Sequence, residues 1–276
     1  MLFARKMDLN SETIYQRRAA HGVVFGLAGF AEVAGRSVSR LEPCQPRLKI
    51  ILAQQDIALG RLSDAPTTHK AFVVGPSCGP LRAGHDGVLT CVEIDLPAWA
   101  GVAAFGRPFH HEPLPLADLT GSSADRLLEA LSDATDWHNR LALVEAFIVG
   151  RLSAGVRRIS PEIQWAWEKL ESGNGRASIR ELADEIGWSG RHFGQRFRHE
   201  TGILPKTAMR MMRFARASRL AEDSRESLAD IAYVCGYADQ SHLTREFLEF
   251  AGRSPDAHRK ARFSDLPGTS AKKAAG

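Results

Sequence analysis

The 276-residue chain predicts an α+β protein. It reads as a β-rich N-terminal half with trailing helices, then an all-α C-terminal half of two helix-turn-helix units joined by a linker helix. Three observations carry that expectation. Short β-branched runs broken by Gly and Pro stand before about residue 96. Three- and four-residue apolar spacing takes over after it. One small pattern occurs twice: "EIGWSGRHFGQRFRHETGILP" (185–205) and "VCGYADQSHLTREFLEFAGRSP" (234–255) place Phe197 on Phe247, Gly202 on Gly252 and Pro205 on Pro255.

Strands come first. From about Val38 to Leu96 the runs "LKIILA", "AFVVG" and "VLTCVEIDL" are separated by "GPSCGP" and "RAGHDG", which is strand-and-turn composition. "AGHDG" (83–87) reads as a turn between strands. From Pro97 the pattern is helical. Leu127, Leu128 and Leu131, then Leu141, Val144, Phe147 and Ile148, predict helices over Ser122–Ala134 and Asp136–Leu152. A boundary is expected near Ser153–Arg158. The divisions are 1–155 for the β-rich unit, 156–262 for the helical unit, and 263–276 for a disordered tail, "GTSAKKAAG" lacking apolar periodicity.

The repeat has a physical reading. Ser178 caps a helix, with Glu181 three residues on to close a capping box. Leu182, Ala183 and Ile186 form its apolar stripe, and Gly187 suits the left-handed residue that ends it. Ser189 caps the next helix, whose Phe193 and Phe197 share a face. In the second copy Ser227 caps, with Asp230 at the box position. Ile231, Ala232 and Cys235 make the stripe, Gly236 stops the helix, Asp239 caps its successor, and Leu243 and Phe247 face inward. Two short helices across a glycine-containing turn make a helix-turn-helix. The alternative for one unit alone is a helical hairpin in an ordinary bundle; two units capped alike favour paired readers of DNA. The joining segment "LPKTAMRMMRFARASRLAE" has Met209, Met212, Ala217 and Leu220 on an apolar side, and Lys206, Arg210, Arg213, Arg216 and Arg219 as charge. Its basic residues are expected to form mostly a solvated face. About 16 helical residues span roughly 24 Å, which could set two reading helices about one DNA turn, roughly 34 Å, apart.

Charge agrees. Residues 1–155 hold 15 Lys/Arg and 16 Asp/Glu, and residues 156–276 hold 21 and 16. A modest basic excess in the second half suits an anionic partner. Apolar content of 44% and charged content of 25% are those of a soluble globular chain. No apolar run nears the roughly 18 residues that cross a bilayer, and "MLFARKMDLN" lacks a signal-peptide core. Cys44, Cys78, Cys91 and Cys235 form no C-x-x-C pair. No membrane association, no metal, no cofactor and a reducing cytoplasm are therefore the expectations.

Through these residues the segment from Ile159 to Arg262 strongly resembles the AraC/XylS family of bacterial transcription regulators. "IAYVCGYADQSHLTREF…AGRSP…HR" (231–259) is its most specific stretch, and Arg213 with Ala217 also fits. Leu243 stands where an aromatic is usual and His258 where tyrosine is usual; both read as packing changes. "FVVGPSCGPL", "FGRPFHHEPLPLADLTG" and "RLALVEAF" resemble the β-rich domains that precede this module in some members. The resemblance implies double-stranded DNA as partner and transcription regulation, most often activation. It implies an N-terminal unit for sensing a small-molecule effector, for self-association as a homodimer, or both. RNA polymerase is a further candidate partner. An enzyme domain fused to a reader, and a regulator controlled by a partner without a ligand, are the alternatives.

Facing away from Phe193 and Phe197 are Arg191, His192, Gln195 and Arg198. Arginine pairs bidentately with guanine and glutamine with adenine. Matched position in the family makes Arg191 and Gln195 base readers; Arg198, further along, suits a phosphate. Arg196 adjoins the core face, and Gly194 either lacks a contact or permits close helix packing. The second unit presents Gln240, Ser241, His242 and Arg245, with Thr244 beside them; His242 stands equally as a helix-start residue. Glu246 and Glu249 would repel phosphates, so the first unit is expected to anchor more strongly. His69, His85 and His110–His111 lack ligand spacing. Cys78 and Cys91 read as buried strand thiols, and Trp99, Trp165 and Trp167 as core.

Overall fold

The computed structural model describes residues 11–76, 79–109, 112–223 and 226–264. Phe263 and Ser264, expected to open the disordered 263–276 tail, are instead helical; the rest of that tail, His110, His111 and Cys78 lie outside the described residues.

Strands β1 (Ser11–Ala20), β2 (Val23–Val33), β3 (Val38–Glu42), β4 (Leu48–Arg61), β5 (Thr67–Val74), β6 (Leu81–His85) and β7 (Val88–Leu96) precede helix α1 (Ala98–Phe105). After the two-residue β8 (Leu114–Pro115) come α2 (Ala117–Thr120), α3 (Ser123–Asp133) and α4 (Trp137–Ala154). The sheet order is β1-β2-β7-β4-β5-β8, with β6 pairing both β3 and β4. Strand formation begins well before Val38. The β1–β2 hairpin turns at His21 and Gly22, both at positive φ; β1 alternates exposed and half-buried residues, whereas β2 is buried on both faces along most of its length.

The sheet curls because β4 serves two neighbours. Its first half pairs with β7 from Leu48 to Ala53, and its second half with β6 from Ala58 to Arg61. Its register against β5 breaks between Leu52 and Ile57, and such a break bends a strand. Inside the curl, Phe30, Ile51, Ile57, Leu59, Phe72, Leu89 and Cys91 form one apolar cluster. The opposite face, with Leu27, Ile50, Leu52, Val92 and Ile94, packs on helices. Gly29 is required there: a Cβ on it would lie 2.4 Å from the Trp137 ring.

Buried ions accompany the apolar residues. Lys49, 1% exposed, pairs with Glu93 and with Asp95 at 2.7 Å. Burial pushes the Asp95 carboxyl up, but Lys49 and Arg47 outweigh it and hold it well below the usual carboxylate range. Arg47 also bonds Glu171, which lies on α5 (Pro161–Ser172). His85 and Arg40 both contact Glu32. Cys91 is buried, and burial raises its thiol pKa. Trp99 and Trp167 are core residues. Trp165 is only partly buried, with the Lys169 ammonium 5.4 Å from its ring centre.

The helices α6 (Ile179–Glu185), α7 (Gly190–Thr201), α8 (Pro205–Asp223), α9 (Leu228–Cys235), α10 (Gln240–Ala251) and α11 (Pro255–Ser264) complete the chain. The α+β class stands as expected. One apolar cluster runs without interruption from Val23 in the sheet to Ala251 in α10, so the sheet, its helices and the C-terminal helices share a core. Among the described residues no helix is long and apolar enough to cross a membrane.

Candidate nucleic-acid interface

Each unit is assembled by local hydrogen bonds. The Ser178 hydroxyl accepts from the Glu181 amide and the Ser189 hydroxyl from the His192 amide. In the second unit Ser227 accepts from the Asp230 amide, and Asp239 from the His242 amide at 2.7 Å. These caps satisfy amides that a helix leaves unpaired at its start. Gly187 and Gly236 turn at φ +70° and +75°, values that cost glycine little. Phe193, Phe197, Leu243 and Phe247 are fully buried. Trp167 stacks on Phe197 with centroids 5.9 Å apart, and Phe214 of α8 meets Phe247 edge-on at 5.0 Å.

Burying those rings turns the opposite faces outward. Arg191, His192, Gln195 and Arg198 are all exposed on α7, and Gln240, Ser241 and Arg245 on α10. His242 is half-buried, edge-on to Tyr237 with centroids 5.2 Å apart and 3.7 Å from Glu246. Its counterpart His192 meets Trp188 in the same manner at 4.7 Å. The repeat therefore includes an aromatic–histidine pair at the start of each second helix. Thr244 returns its hydroxyl to the Gln240 carbonyl.

Several expectations need correction. A side chain on Gly194 would meet nothing within 4 Å, so this glycine does not serve helix packing. Glu246 is 2% exposed; it accepts from Arg210 at 2.8 Å and Arg213 at 3.2 Å, while Glu249 takes the other arm of Arg210. These carboxylates are neutralised within the fold and do not stand bare toward phosphates. Equally, Arg210 and Arg213 belong to no solvated stripe. Burial lowers the Arg210 pKa, but Glu249 and Glu246 reverse that and raise it. The linker's buried side is Ala208, Met211, Met212, Phe214, Ala217 and Ala221; Met209 and Leu220 are only partly buried. Sequence reading missed this clasp, although Arg210/Arg213 and Glu246/Glu249 share a three-residue spacing that places each pair on one helix face.

In the first unit Arg196 bonds Ser160, and Glu200, 2% exposed, accepts from the Ser160 amide at 2.7 Å. That fastens α7 to the start of α5 and makes Arg196 structural. His258 is buried, with its Nε2 2.7 Å from Glu222 and 2.8 Å from Ser218, tying α11 to α8. A cleft of about 540 Å³ opens between α8 and α10, lined by Lys206, Arg210, Arg213, His242 and Arg245 among others. Among the described residues no three His, Cys, Asp or Glu side chains form a metal-binding group.

A helix-turn-helix domain model matches residues 182–261. The chain is 34% identical over 87 residues to the HTH-type transcriptional regulator Rv1931c of Mycobacterium tuberculosis, covering 32% of this chain and 34% of that one. It is 32% identical over 81 residues to the HTH-type transcriptional activator RhaS of Citrobacter koseri, covering 29% of each. The chain thus spans about a third of the length of the curated relatives it matches. The crystal structure of ToxT from Vibrio cholerae O395 superposes over 89% of this chain and 99% of its own, with a TM-score of 0.50 at 10% identity. That likeness extends the shared fold to the β-rich half.

Proposed function

We propose that this chain, whose C-terminal module is an AraC/XylS-type pair of helix-turn-helix units, is a sequence-specific DNA-binding transcription regulator. The observation that carries the reading is the duplicated face: each second helix buries its apolar ring or leucine and leaves arginine and glutamine outward. Residues 156–262 bind double-stranded DNA. Arg191, Gln195, Gln240, Ser241 and Arg245 read base edges; His192 and His242 stand at the helix starts, and Arg198 holds a phosphate. Residues 1–155 receive a signal, associate with a second copy, or do both. The chain acts in the cytoplasm as a regulator and not as an enzyme.

Control by a partner or a second copy is favoured over a ligand held inside the sheet. Apolar side chains and the Lys49 ion cluster fill the curl, and the cavity between the sheet and helices α3 and α4 holds only about 10 Å³. The test is selection of duplexes from a random library by the full chain. Enrichment of a two-part motif supports the reading, and an affinity independent of sequence and of salt ends it.

A further inference from the structure

Gly202 and Gly252 occupy the same place in the two repeats: each is the left-handed residue that ends a second helix, at φ +86° and +67°. The N-terminal half presses on both. A methyl at Gly202 would lie 2.9 Å from the Phe109 carbonyl oxygen, and one at Gly252 would lie 2.9 Å from the Pro80 ring. Hydrogen bonds hold the same ends. The Cys44 amide donates to the Phe250 carbonyl at 2.8 Å. Arg253 donates to the Leu41 carbonyl at 2.7 Å. At the first unit Arg157, at the junction of the two halves, lies 2.7 Å from the His199 ring, while its own amide donates to Ala103 of α1 and so ties that contact to the N-terminal half.

We propose that the N-terminal half is a brace that fixes the separation and relative rotation of α7 and α10, and so decides which spacing between two half-sites the protein accepts. The inference rests on the DNA-binding reading above. Within the C-terminal helices the two units are joined through α8 and by one long contact from Arg176 to the Tyr233 carbonyl at 3.5 Å, both near the middle of the module and away from the ends of α7 and α10. A second connection, gripping both units at matching ends, closes the frame. It does so without covering Arg191, Gln195, Gln240 or Arg245, which stay exposed. One inserted base pair shifts a half-site by about 3.4 Å and rotates it by about 35°. A closed frame cannot follow that step, and an open one can. Arg253, Arg157 and the Leu41–Cys44 segment are then positioning residues for specificity, although none need touch DNA.

The experiment uses the full chain. Duplexes are selected from a random library, and the best one is remade with its spacer lengthened or shortened by one base pair. Wild type is compared with Arg253→Ala and with Arg157→Ala/Arg253→Ala. Hydrogen exchange at the Cys44 amide reports whether the frame has opened, and thermal unfolding confirms folding. Wild type is expected to lose about tenfold or more in affinity per spacer step, and the double variant about threefold or less. Faster Cys44 exchange with an unchanged spacer preference overturns the proposal. Unchanged Cys44 exchange in both variants overturns it too, because these residues then hold no brace. If wild type enriches no duplex, the DNA-binding reading itself has failed; if it enriches one and tolerates every spacer equally, only the brace has.

Discussion

The buried Glu246 carboxylate accepts from Arg210 of α8 at 2.8 Å, 36 residues away in sequence, and so clasps the second reading helix to the linker. Arg213 joins it at 3.2 Å. Glu246→Ala removes the shared acceptor and leaves two guanidinium groups facing each other. The expected loss of stability is about 2 kcal/mol, below the value for a fully buried pair because both arginines keep partial contact with water. Chemical denaturation checks it. Arg213, without its carboxylate partner, should also steepen the salt dependence of DNA binding, since it becomes available to a phosphate while Arg210 keeps Glu249.

Arg191, Arg198 and Arg245 are exposed cations on the two reading helices. Arg191→Ala should cost roughly 1–3 kcal/mol and relax preference at one base position. Arg198→Ala should weaken all sequences alike and reduce the salt slope by about one. With Glu246 and Glu249 paired internally, repulsion no longer ranks the units; two exposed arginines on α7 against one on α10 do. Arg191→Ala is therefore expected to weaken specific binding more than Arg245→Ala, and equal losses in a titration series contradict that order.

Asp95 makes the N-terminal half acid-sensitive. Its folded pKa is depressed, so its contribution is full above the unfolded carboxylate value of about 4 and disappears as pH falls through the lower folded value. Wild type should lose stability steadily on acidification below about pH 5. Asp95→Asn should be less stable at pH 7, leaving Lys49 buried with Glu93 alone. The gap between the two should narrow as pH drops. A gap that stays constant from pH 7 to pH 3 in denaturant titrations counts against the assignment.

Two glycines give opposite outcomes for the same substitution. A Cβ on Gly29 meets the Trp137 ring at 2.4 Å, so Gly29→Ala must displace α4 and should cost about 1–3 kcal/mol. Gly194 is helical and opens on empty space. Gly194→Ala should stabilise by about 1 kcal/mol through helix propensity alone. Paired melting curves separate them.

Much of the C-terminal half was legible in the chain. Ser178, Ser189, Ser227 and Asp239 each bond an amide three residues on, and Gly187 and Gly236 each turn just past a helix. Such signals act within one helical turn and are written in adjacent letters. Phe193 with Phe197, and Leu243 with Phe247, fixed the inward faces and hence the outward ones. Strand β2 was less legible, because a strand covered on both sides loses the alternation that announces it.

By itself, then, the sequence determined the duplicated units, their caps and which side chains each reading helix turns to solvent. Only the tertiary structure decided the fate of the charges. Glu246, Glu200, Lys49 and Arg47 find partners between 36 and 124 residues away, or on neighbouring strands. Coulomb energy depends on distance in space and on burial, and neither is encoded by spacing along the chain. The same holds for Gly202 and Gly252: the repeat aligned them, while their place at helix ends against the N-terminal half came from how two packed units share one core.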